Sequence, residues 1–258
     1  MSLPSEQKIL ELDRISYSYG HGPGFIHDLS FTLGQGDFIG LLGANGSGKS
    51  TIMKLASGIL KPVSGSVRLW GSDIHSLQHR DRAKLISYLP QTLDMSIPFS
   101  IAELVGMGLY PYDIPPVMSV EQALDMVGLR DKAASHLSDL SGGERRRAFI
   151  AMTLVQGAGL LLLDEPLANL DIRYQIELIR LLRKLREENN ISVVMALHDI
   201  TIALQFDTVM VVKNGTLIGS GRPEAVLTRE TLKKAFDVGV EVRTSPETGT
   251  YIKYEENF

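Results

Sequence analysis

The glycine-rich segment Gly43-Ala44-Asn45-Gly46-Ser47-Gly48-Lys49-Ser50-Thr51 places the strongest constraint on how this chain can fold. It matches the pattern G-x-x-x-x-G-K-[ST], in which glycines let successive backbone N–H groups turn around an anion. Residues 37–42 before it are predicted to form a buried strand, and residues 50–56 after it a helix whose N-terminus favours a phosphate. Lys49 is expected to reach the β- and γ-phosphates of a nucleotide, and the Ser50 hydroxyl to bind Mg²⁺. The segment therefore predicts a P-loop between a strand and a helix.

Composition excludes several kinds of protein. The chain has 258 residues, 44% of them hydrophobic, which is enough for one large domain with a buried core. Its net charge is −4, so bulk electrostatics do not favour nucleic-acid binding. It has no cysteine, which excludes disulfides, thiolate metal sites and cysteine nucleophiles and fits a cytoplasmic protein. We find no signal pattern and no apolar run near the roughly 18 residues of a membrane-spanning helix, so any membrane span is expected to come from a partner.

The hydrophobic pattern changes from strands to helices and back along the chain. Residues 9–13, 16–19 and 29–33 are predicted strands of an antiparallel sheet, followed by strands at 66–70 and 86–89. Between about 93 and 140 the pattern is helical, because Ser100 with Glu103 and Ser119 with Gln122 form capping boxes at two helix starts. Strands and helices then alternate. The predicted strands lie at 160–163, 191–196 and 208–212. The predicted helices are one at 172–188, a short one that begins at 200, and one that Thr228 caps and that ends at 236. Hairpins are predicted at Asn214-Gly215 and over 240–254. The fold class predicted is α/β, a P-loop NTPase with a RecA-like parallel core, an antiparallel β subdomain and an inserted helical subdomain.

Four leucines run directly into two acids at residues 160–165. A fully buried strand delivers a carboxylate to the edge at which α/β sheets bind ligands. Asp164 is therefore a candidate Mg²⁺ ligand of the Walker B type, and Glu165 a candidate general base for an attacking water.

The segment Leu140-Ser141-Gly142-Gly143-Glu144 precedes a predicted helix and offers a second anion-binding N-terminus. An ordinary serine N-cap with two turn glycines is the alternative reading. One nucleotide rarely needs two such termini from one chain.

With these segments in place, the chain resembles the ATP-binding cassette ATPases over nearly its whole length. Leu140 to Glu144 is similar to their LSGGQ signature, with Glu144 in place of the usual Gln. The resemblance implies that Tyr19 stacks on adenine, that Gln91 is the Q-loop residue and a further Mg²⁺ ligand, and that His198 is the switch histidine. It also implies a D-loop at 168–171 ending in Asp171, and a signature that serves the ATP of a second copy. The domain boundaries expected are a core of 1–92 and 146–258 and a helical subdomain of about 93–145.

The segment 102–111 of the helical insert resembles importers of iron–siderophore, haem and cobalamin, although zinc and manganese importers have similar stretches. This resemblance implies an ATPase homodimer on the cytoplasmic face of the cell membrane, bound to permease subunits and served indirectly by a substrate-binding protein. A plain amphipathic helix is the alternative for this segment, and a non-transport ATPase of the same family the alternative for the chain. The run Arg145-Arg146-Arg147 is expected to be solvated surface with local ion pairs, although cations oppose the dipole of a helix start.

Overall fold

The computed structural model describes residues 7–20, 22, 24–93, 98–114, 116, 118–237, 239–245 and 249–254. The described strands are β1 (Lys8–Tyr17), β2 (Ile26–Gly34), β3 (Phe38–Leu42), β4 (Ser64–Leu69), β5 (Ser72–Asp73), β6 (Ile86–Leu89), β7 (Leu160–Asp164), β8 (Ser192–Leu197), β9 (Thr208–Lys213), β10 (Thr216–Gly221), β11 (Val240–Ser245) and β12 (Gly249–Tyr254). The described α-helices are α1 (Lys49–Ala56), α2 (His79–Leu85), α3 (Ile101–Gly106), α4 (Val120–Met126), α5 (Gly142–Val155), α6 (Ile172–Asn189), α7 (Ile200–Ala203), α8 (Pro223–Val226) and α9 (Arg229–Phe236). Short 3₁₀ helices lie at Met107–Leu109, Arg130–Lys132 and Leu137–Asp139.

The chain packs as two units, one of residues 1–75 with 194–258 and one of residues 76–193. In the first unit, β2, β1, β4 and β5 form an antiparallel sheet in that order. The predicted antiparallel pairing near the N-terminus is confirmed for β1 and β2, whereas the places of β4 and β5 in this sheet were not predicted. A second set of strands follows the order β10-β9-β3-β8, in which β3 and β9 are parallel. The predicted turn at Asn214-Gly215 joins β9 to β10, with both residues at positive φ (47° and 73°), as a tight hairpin requires. The closing hairpin is formed by β11 and β12.

The prediction of two separate strands at 9–13 and 16–19 is wrong. β1 is continuous, and its pairing with β4 shifts register between Asp13 and Ser16, where Arg14 has a φ of +44°. A bulge absorbs the extra residue without ending the strand. Tyr19 therefore lies beyond the end of β1 instead of within a strand.

The core of the first unit surrounds β3. All five residues of this strand are buried, since it lies between β9 and β8 and is covered on its faces. Phe38 at its start stacks on Phe206, with ring centroids 4.6 Å apart. The strand leads through the glycine-rich loop into α1. The strand predicted at 37–42, the loop after it and the helix predicted at 50–56 are therefore confirmed.

The second unit pairs β6 with β7 in parallel, and each residue of β7 is buried. Helices α3 and α4 begin where the sequence predicts. Ser100 and Ser119 form capping boxes with Glu103 and Gln122, and Gly128 beyond α4 takes a φ of +64°. Helix α2 was not predicted, and all of its residues are at least partly exposed.

The helices predicted in the insert lie in the second unit, which also contains β6, β7 and α6. The subdomain boundaries at 92/93 and 145/146 stay a prediction. Within the described part of the chain, no helix combines the length and the apolar character needed to cross a membrane.

Candidate functional site

The glycine-rich loop of the first unit has the geometry of a phosphate cradle. Lys49 is buried, and its Nζ donates to the carbonyl oxygens of Gly43 (2.8 Å) and Ala44 (3.1 Å), so its charge is held over the loop. The loop is tied further by the N–H of Ser47 to Ala44 and by the N–H of Gly215 to the Ser47 carbonyl. The helix α1 begins at Lys49 itself, which directs the N-terminal N–H groups of the helix toward the same place.

Two loop glycines are required by geometry. A Cβ at Gly43 would lie 2.5 Å from the Val212 carbonyl oxygen and 2.6 Å from Ser47 Oγ. Gly48, the N-cap of α1, has a φ of +112°, which side chains rarely adopt. Ser47 Oγ is buried without a hydrogen-bond partner, so the loop contains a polar atom that a bound phosphate would satisfy.

The remaining loop residues differ in exposure. Asn45 and Gly46 are exposed and Ser50 is half-buried, whereas Thr51 is buried.

Tyr19 is linked to this loop, because its hydroxyl is 2.8 Å from Thr51 Oγ1. Its ring packs edge-on against Tyr17 and Phe25, yet 51% of the residue remains exposed. A half-exposed ring fixed beside the loop is available to stack on a flat ligand.

His198 directly follows β8, and the preceding residue Leu197 accepts a hydrogen bond from the N–H of Gly43 at 3.3 Å. This backbone contact places His198 next to the start of the glycine-rich loop. The side chain is exposed, while Asp199 caps α7 by accepting from the N–H groups of Thr201 and Ile202.

In the second unit, the end of β7 carries the two predicted acids. Asp164 is 1% exposed, and the hydroxyl of Tyr88 donates to its carboxylate at 3.4 Å. Glu165 is half-buried and has a φ of +50°, an uncommon value for a residue with a side chain. The amide of Gln91 donates to Glu165 Oε2 at 2.9 Å. The structure thus brings Gln91, Asp164 and Glu165 together at one strand end.

The predicted signature forms the start of α5. Ser141 is the N-cap, its hydroxyl accepts from the N–H of Glu144, and the Glu144 carboxylate accepts from the N–H of Ser141 at 3.0 Å. The other oxygen of that carboxylate accepts from Lys132 Nζ at 2.6 Å. The hydrogen bond from Lys132, followed by the bond from the Ser141 N–H, lowers the pKa of Glu144 to about 2. Glu144 therefore stays ionised, and Lys132 balances its charge.

The signature and the predicted D-loop line one open cleft of the second unit. Its walls include Ser141, Gly142 and Gly143 on one side and Asn169 and Asp171 on the other. A Cβ at Gly143 would lie 3.0 Å from the Asn169 carbonyl oxygen, so a glycine allows the two segments to approach closely. Asp171 also caps α6 by accepting from the N–H of Tyr174, whereas Leu140 is buried beneath the signature.

The expectation that the arginine run is solvated surface is wrong. Arg146 and Arg147 are 4% and 7% exposed. The guanidinium of Arg147 donates to the carbonyls of Val127 (2.7 Å) and Gly128 (3.3 Å) at the end of α4, and lies 3.8 Å above the ring of Tyr174. Carbonyl groups at a helix end carry partial negative charge, so they compensate the buried cation.

Arg146 and Lys132 are the residues of this region that the sequence reasoning missed. The apolar run after Arg146 could have indicated that this side chain is buried. Most residues at 148–155 are buried, so the helix has no broad solvent-facing side. A side chain four residues before the buried Ile150 lies on the same face of that helix. Lys132 has no local signal, because its partner is 12 residues away in the chain.

Known proteins resemble this chain over most of its length. A model of the ABC transporter family matches residues 26–168. The iron(3+)-hydroxamate import ATP-binding protein FhuC of Bacillus subtilis is 35% identical over 247 residues, which cover 93% of this chain and 91% of that protein. The cobalamin import ATP-binding protein BtuD of Halobacterium salinarum is 35% identical over 234 residues, which cover 88% of this chain. The chain spans 59% of the length of that relative.

A solved structure described as a metal-chelate type ABC transporter in an inward-facing conformation superposes with a TM-score of 0.80. It is 25% identical, and the match covers 96% of this chain and 98% of that one. The predicted fold class, a P-loop NTPase α/β fold, is confirmed by this neighbour. By its matched family model and its similarity to FhuC over 91% of that protein, the chain belongs to the ABC transporter family.

Proposed function

We propose that this chain is the ATP-hydrolysing subunit of an importer that carries a metal chelate, such as an iron–siderophore, haem or cobalamin, through a membrane permease. The observation that carries the proposal is the hydrogen bond of 2.9 Å between Gln91 and Glu165 at the end of β7. It joins a candidate base to a candidate sensor of the γ-phosphate. The relatives support the direction of transport, since their names describe import ATP-binding proteins for cobalamin and iron hydroxamate.

In this proposal the glycine-rich loop holds the phosphates of ATP. Backbone N–H groups of the loop between Gly43 and Thr51 surround the β-phosphate, and the positive charge of Lys49 turns from the loop carbonyls to the β- and γ-phosphates. Tyr19 stacks on adenine. The buried position of Lys49 supports this role, because an ammonium removed from water interacts more strongly with a phosphate.

A magnesium ion fits the available donors. Mg²⁺ prefers oxygen ligands, and Ser50, Gln91 and Asp164 offer a hydroxyl, an amide oxygen and a carboxylate. When bound, the ion would neutralise charge that develops on the phosphates. Asp164 is suited to such a ligand role because it is buried at a strand end.

Hydrolysis then depends on positioning and on one proton transfer. Glu165 accepts a proton from the attacking water, Gln91 holds that carboxylate in place, and His198 contacts the γ-phosphate. The exposure of His198 and its position beside the loop start support the last role.

Two copies of the chain would complete each site, with the signature Leu140 to Glu144 and the D-loop residue Asp171 of one copy facing the ATP of the other. The open cleft that these segments line supports a role toward an external ligand. The dimer would work at the cytoplasmic face of the cell membrane, bound to the permease and served indirectly by a substrate-binding protein, without nucleic acid.

Mixing two inactive variants tests this arrangement. Lys49→Ala leaves the signature intact, and Ser141→Arg leaves the glycine-rich loop intact, so each homodimer has two defective sites. A mixed dimer has one site with both defects and one fully intact site, and the mixture is expected to recover part of the ATPase activity. If the signature served the ATP of its own chain, every site would carry a defect and mixing would restore nothing.

A lack of recovery also arises if the two sites fire together, so crosslinking provides a second measurement. Cysteines introduced at Ser47 and Ser141 are expected to crosslink between chains when ATP is present. Crosslinks confined to single chains would refute the shared site.

A further inference from the structure

Arg146 connects the backbones of two loops that carry the candidate catalytic residues. Its guanidinium makes five hydrogen bonds, all to carbonyl oxygens. The acceptors are Pro90 (2.9 Å) and Gln91 (3.1 Å) from Nη1, Asp164 (2.6 Å) and Glu165 (2.8 Å) from Nη2, and Pro166 (3.4 Å) from Nε. A guanidinium has five N–H donors, so these bonds use its full capacity. The side chain is 4% exposed, which makes each bond costly to lose.

The two loops approach each other only through long-range folding, since Gln91 and Glu165 are 74 residues apart. Their side chains meet in the 2.9 Å hydrogen bond, and their backbone carbonyls converge on Arg146. Glu165 has a φ of +50°, which is unfavourable for a residue with a Cβ and persists when surrounding contacts hold it. The Arg146 bonds to Asp164, Glu165 and Pro166 are contacts of that kind.

Burying the positive charge of Arg146 costs electrostatic free energy, and two nearby carboxylates offset part of that cost. Burial lowers the pKa of Arg146, and the carboxylates of Asp164 and Glu165 act in the opposite direction. An arginine nevertheless stays protonated in proteins, so the fork of donors is permanent. Lysine has three donors on a single nitrogen and cannot bridge carbonyls spread along two loops.

We propose that Arg146 is a positioning residue for ATP hydrolysis, which fixes the Glu165 carboxylate and the Gln91 amide relative to each other. This inference rests on the proposed function, because it concerns the same reaction. Arg146 acts through the two loops and does not itself contact the nucleotide.

The test compares Arg146→Lys with wild type in the full chain. Displacement of a catalytic group by about 1 Å lowers rates on the order of 100-fold, so kcat is expected to fall 10- to 100-fold. ATP affinity by calorimetry is expected to change less than twofold, since the glycine-rich loop lies in the other unit. A kcat within twofold of wild type in a folded protein would overturn the proposal, as would a loss of ATP affinity as large as the loss of kcat.

Leu154→Ala is the control for a purely structural effect. Leu154 is buried about two helical turns beyond Arg146 in α5, and its truncation is expected to lower stability. Its kcat is expected to stay within about twofold of wild type. If Leu154→Ala lowers kcat as much as Arg146→Lys does, the effect belongs to the stability of the helix and the proposal is wrong.

A double variant tests whether Arg146 acts through Glu165. In a Glu165→Gln background the base is already absent, so adding Arg146→Lys is expected to reduce the residual turnover of radiolabelled ATP less than twofold. A further tenfold loss would show that Arg146 acts elsewhere.

If Arg146→Lys does not fold, as judged by circular dichroism, Arg146→Gln replaces it in all of these measurements. The same results are expected, because a neutral amide leaves no buried ammonium unpaired.

The same variants separate this inference from the proposed function. If wild type and Glu165→Gln turn over ATP at equal rates, the proposed base is wrong. If Glu165→Gln is inactive and Arg146→Lys equals wild type, the positioning role alone is wrong.

Discussion

Replacing Lys132 with Met is expected to lower the free energy of unfolding by about 0.5–1 kcal/mol at pH 7. The Nζ of Lys132 lies 2.6 Å from Glu144 Oε1, which is a short and direct ion pair. The Lys132 side chain is 49% exposed and that of Glu144 is 20% exposed, so water screens the attraction. The expected loss of unfolding free energy therefore lies at the upper end of the range for surface ion pairs. The low pKa of Glu144 alone would suggest a larger loss, but solvent screening reduces it.

A double-mutant cycle isolates this pair. Glu144→Gln keeps the capping box with Ser141, because a glutamine amide serves the same role, and loses the ion pair alone. Lys132→Met, Glu144→Gln and the double variant are therefore expected to be destabilised by similar amounts in urea denaturation followed by circular dichroism. Lys184→Met is the control, since Lys184 and Glu188 are more exposed and 3.8 Å apart. Additive effects of the two single variants would refute the coupling.

The difference in unfolding free energy between wild type and Lys132→Met is expected to depend on pH in a definite direction. The pKa of Glu144 is lowered from 4.5 to about 2 in the folded chain. A lowered carboxylate pKa gives stability that is complete above the unfolded value and is lost as the pH falls toward the folded value. The difference between wild type and Lys132→Met is expected to be equal at pH 7 and 5.5 and to shrink below about 4.5. A difference that has already vanished at pH 5.5 would contradict the assigned interaction.

Three further variants test the candidate site. Glu165→Gln is expected to abolish most ATP turnover while ATP affinity stays within about twofold, because it removes the base and keeps the shape; turnover near the wild-type rate would exclude Glu165 as the base. Lys49→Ala is expected to weaken MgATP binding measured by calorimetry, since it removes the charge held over the loop, and unchanged affinity would contradict the phosphate site. Tyr19→Ala is expected to weaken ATP and ADP binding alike by about 1–3 kcal/mol, whereas Tyr19→Phe retains the ring and most of the affinity. A loss specific to ATP would place Tyr19 near the γ-phosphate instead of adenine.

Features that depend on neighbouring residues could be predicted from the sequence. The capping boxes at Ser100 and Ser119 form as expected, because each joins residues three apart. The buried run of β7 and the glycine-rich loop follow equally from local pattern. Whether Gln91 reaches Glu165 depends on contacts between distant segments. The buried strand end pointed to Glu165, and only the resemblance to a family pointed to Gln91.

Features that depend on long-range packing escaped the sequence. Arg146 is buried because carbonyl groups from two distant loops surround it, and no local pattern of charges indicates that. The continuity of β1 escaped for a related reason, since pairing with β4 carries the strand past the bulge at Arg14. Helix α2 has no buried residue of its own, and the Gln156 amide that donates to the Ala83 carbonyl of this helix lies 73 residues away in the chain.

The contacts of α5 also explain how Arg146 and Arg147 are tolerated near a helix N-terminus. Cations there oppose the helix dipole, but Arg146 and Arg147 both direct their guanidinium groups to carbonyl oxygens of other segments. Arg146 bonds to the loops of Gln91 and Glu165, whereas Arg147 bonds to the end of α4. Ser141 caps the same helix, so a displacement of the helix start moves the signature hydroxyl and strains the bonds that hold the Glu165 loop. Under the proposed function, contact of Ser141 with a nucleotide on a second copy would therefore act on the position of Glu165, the candidate base.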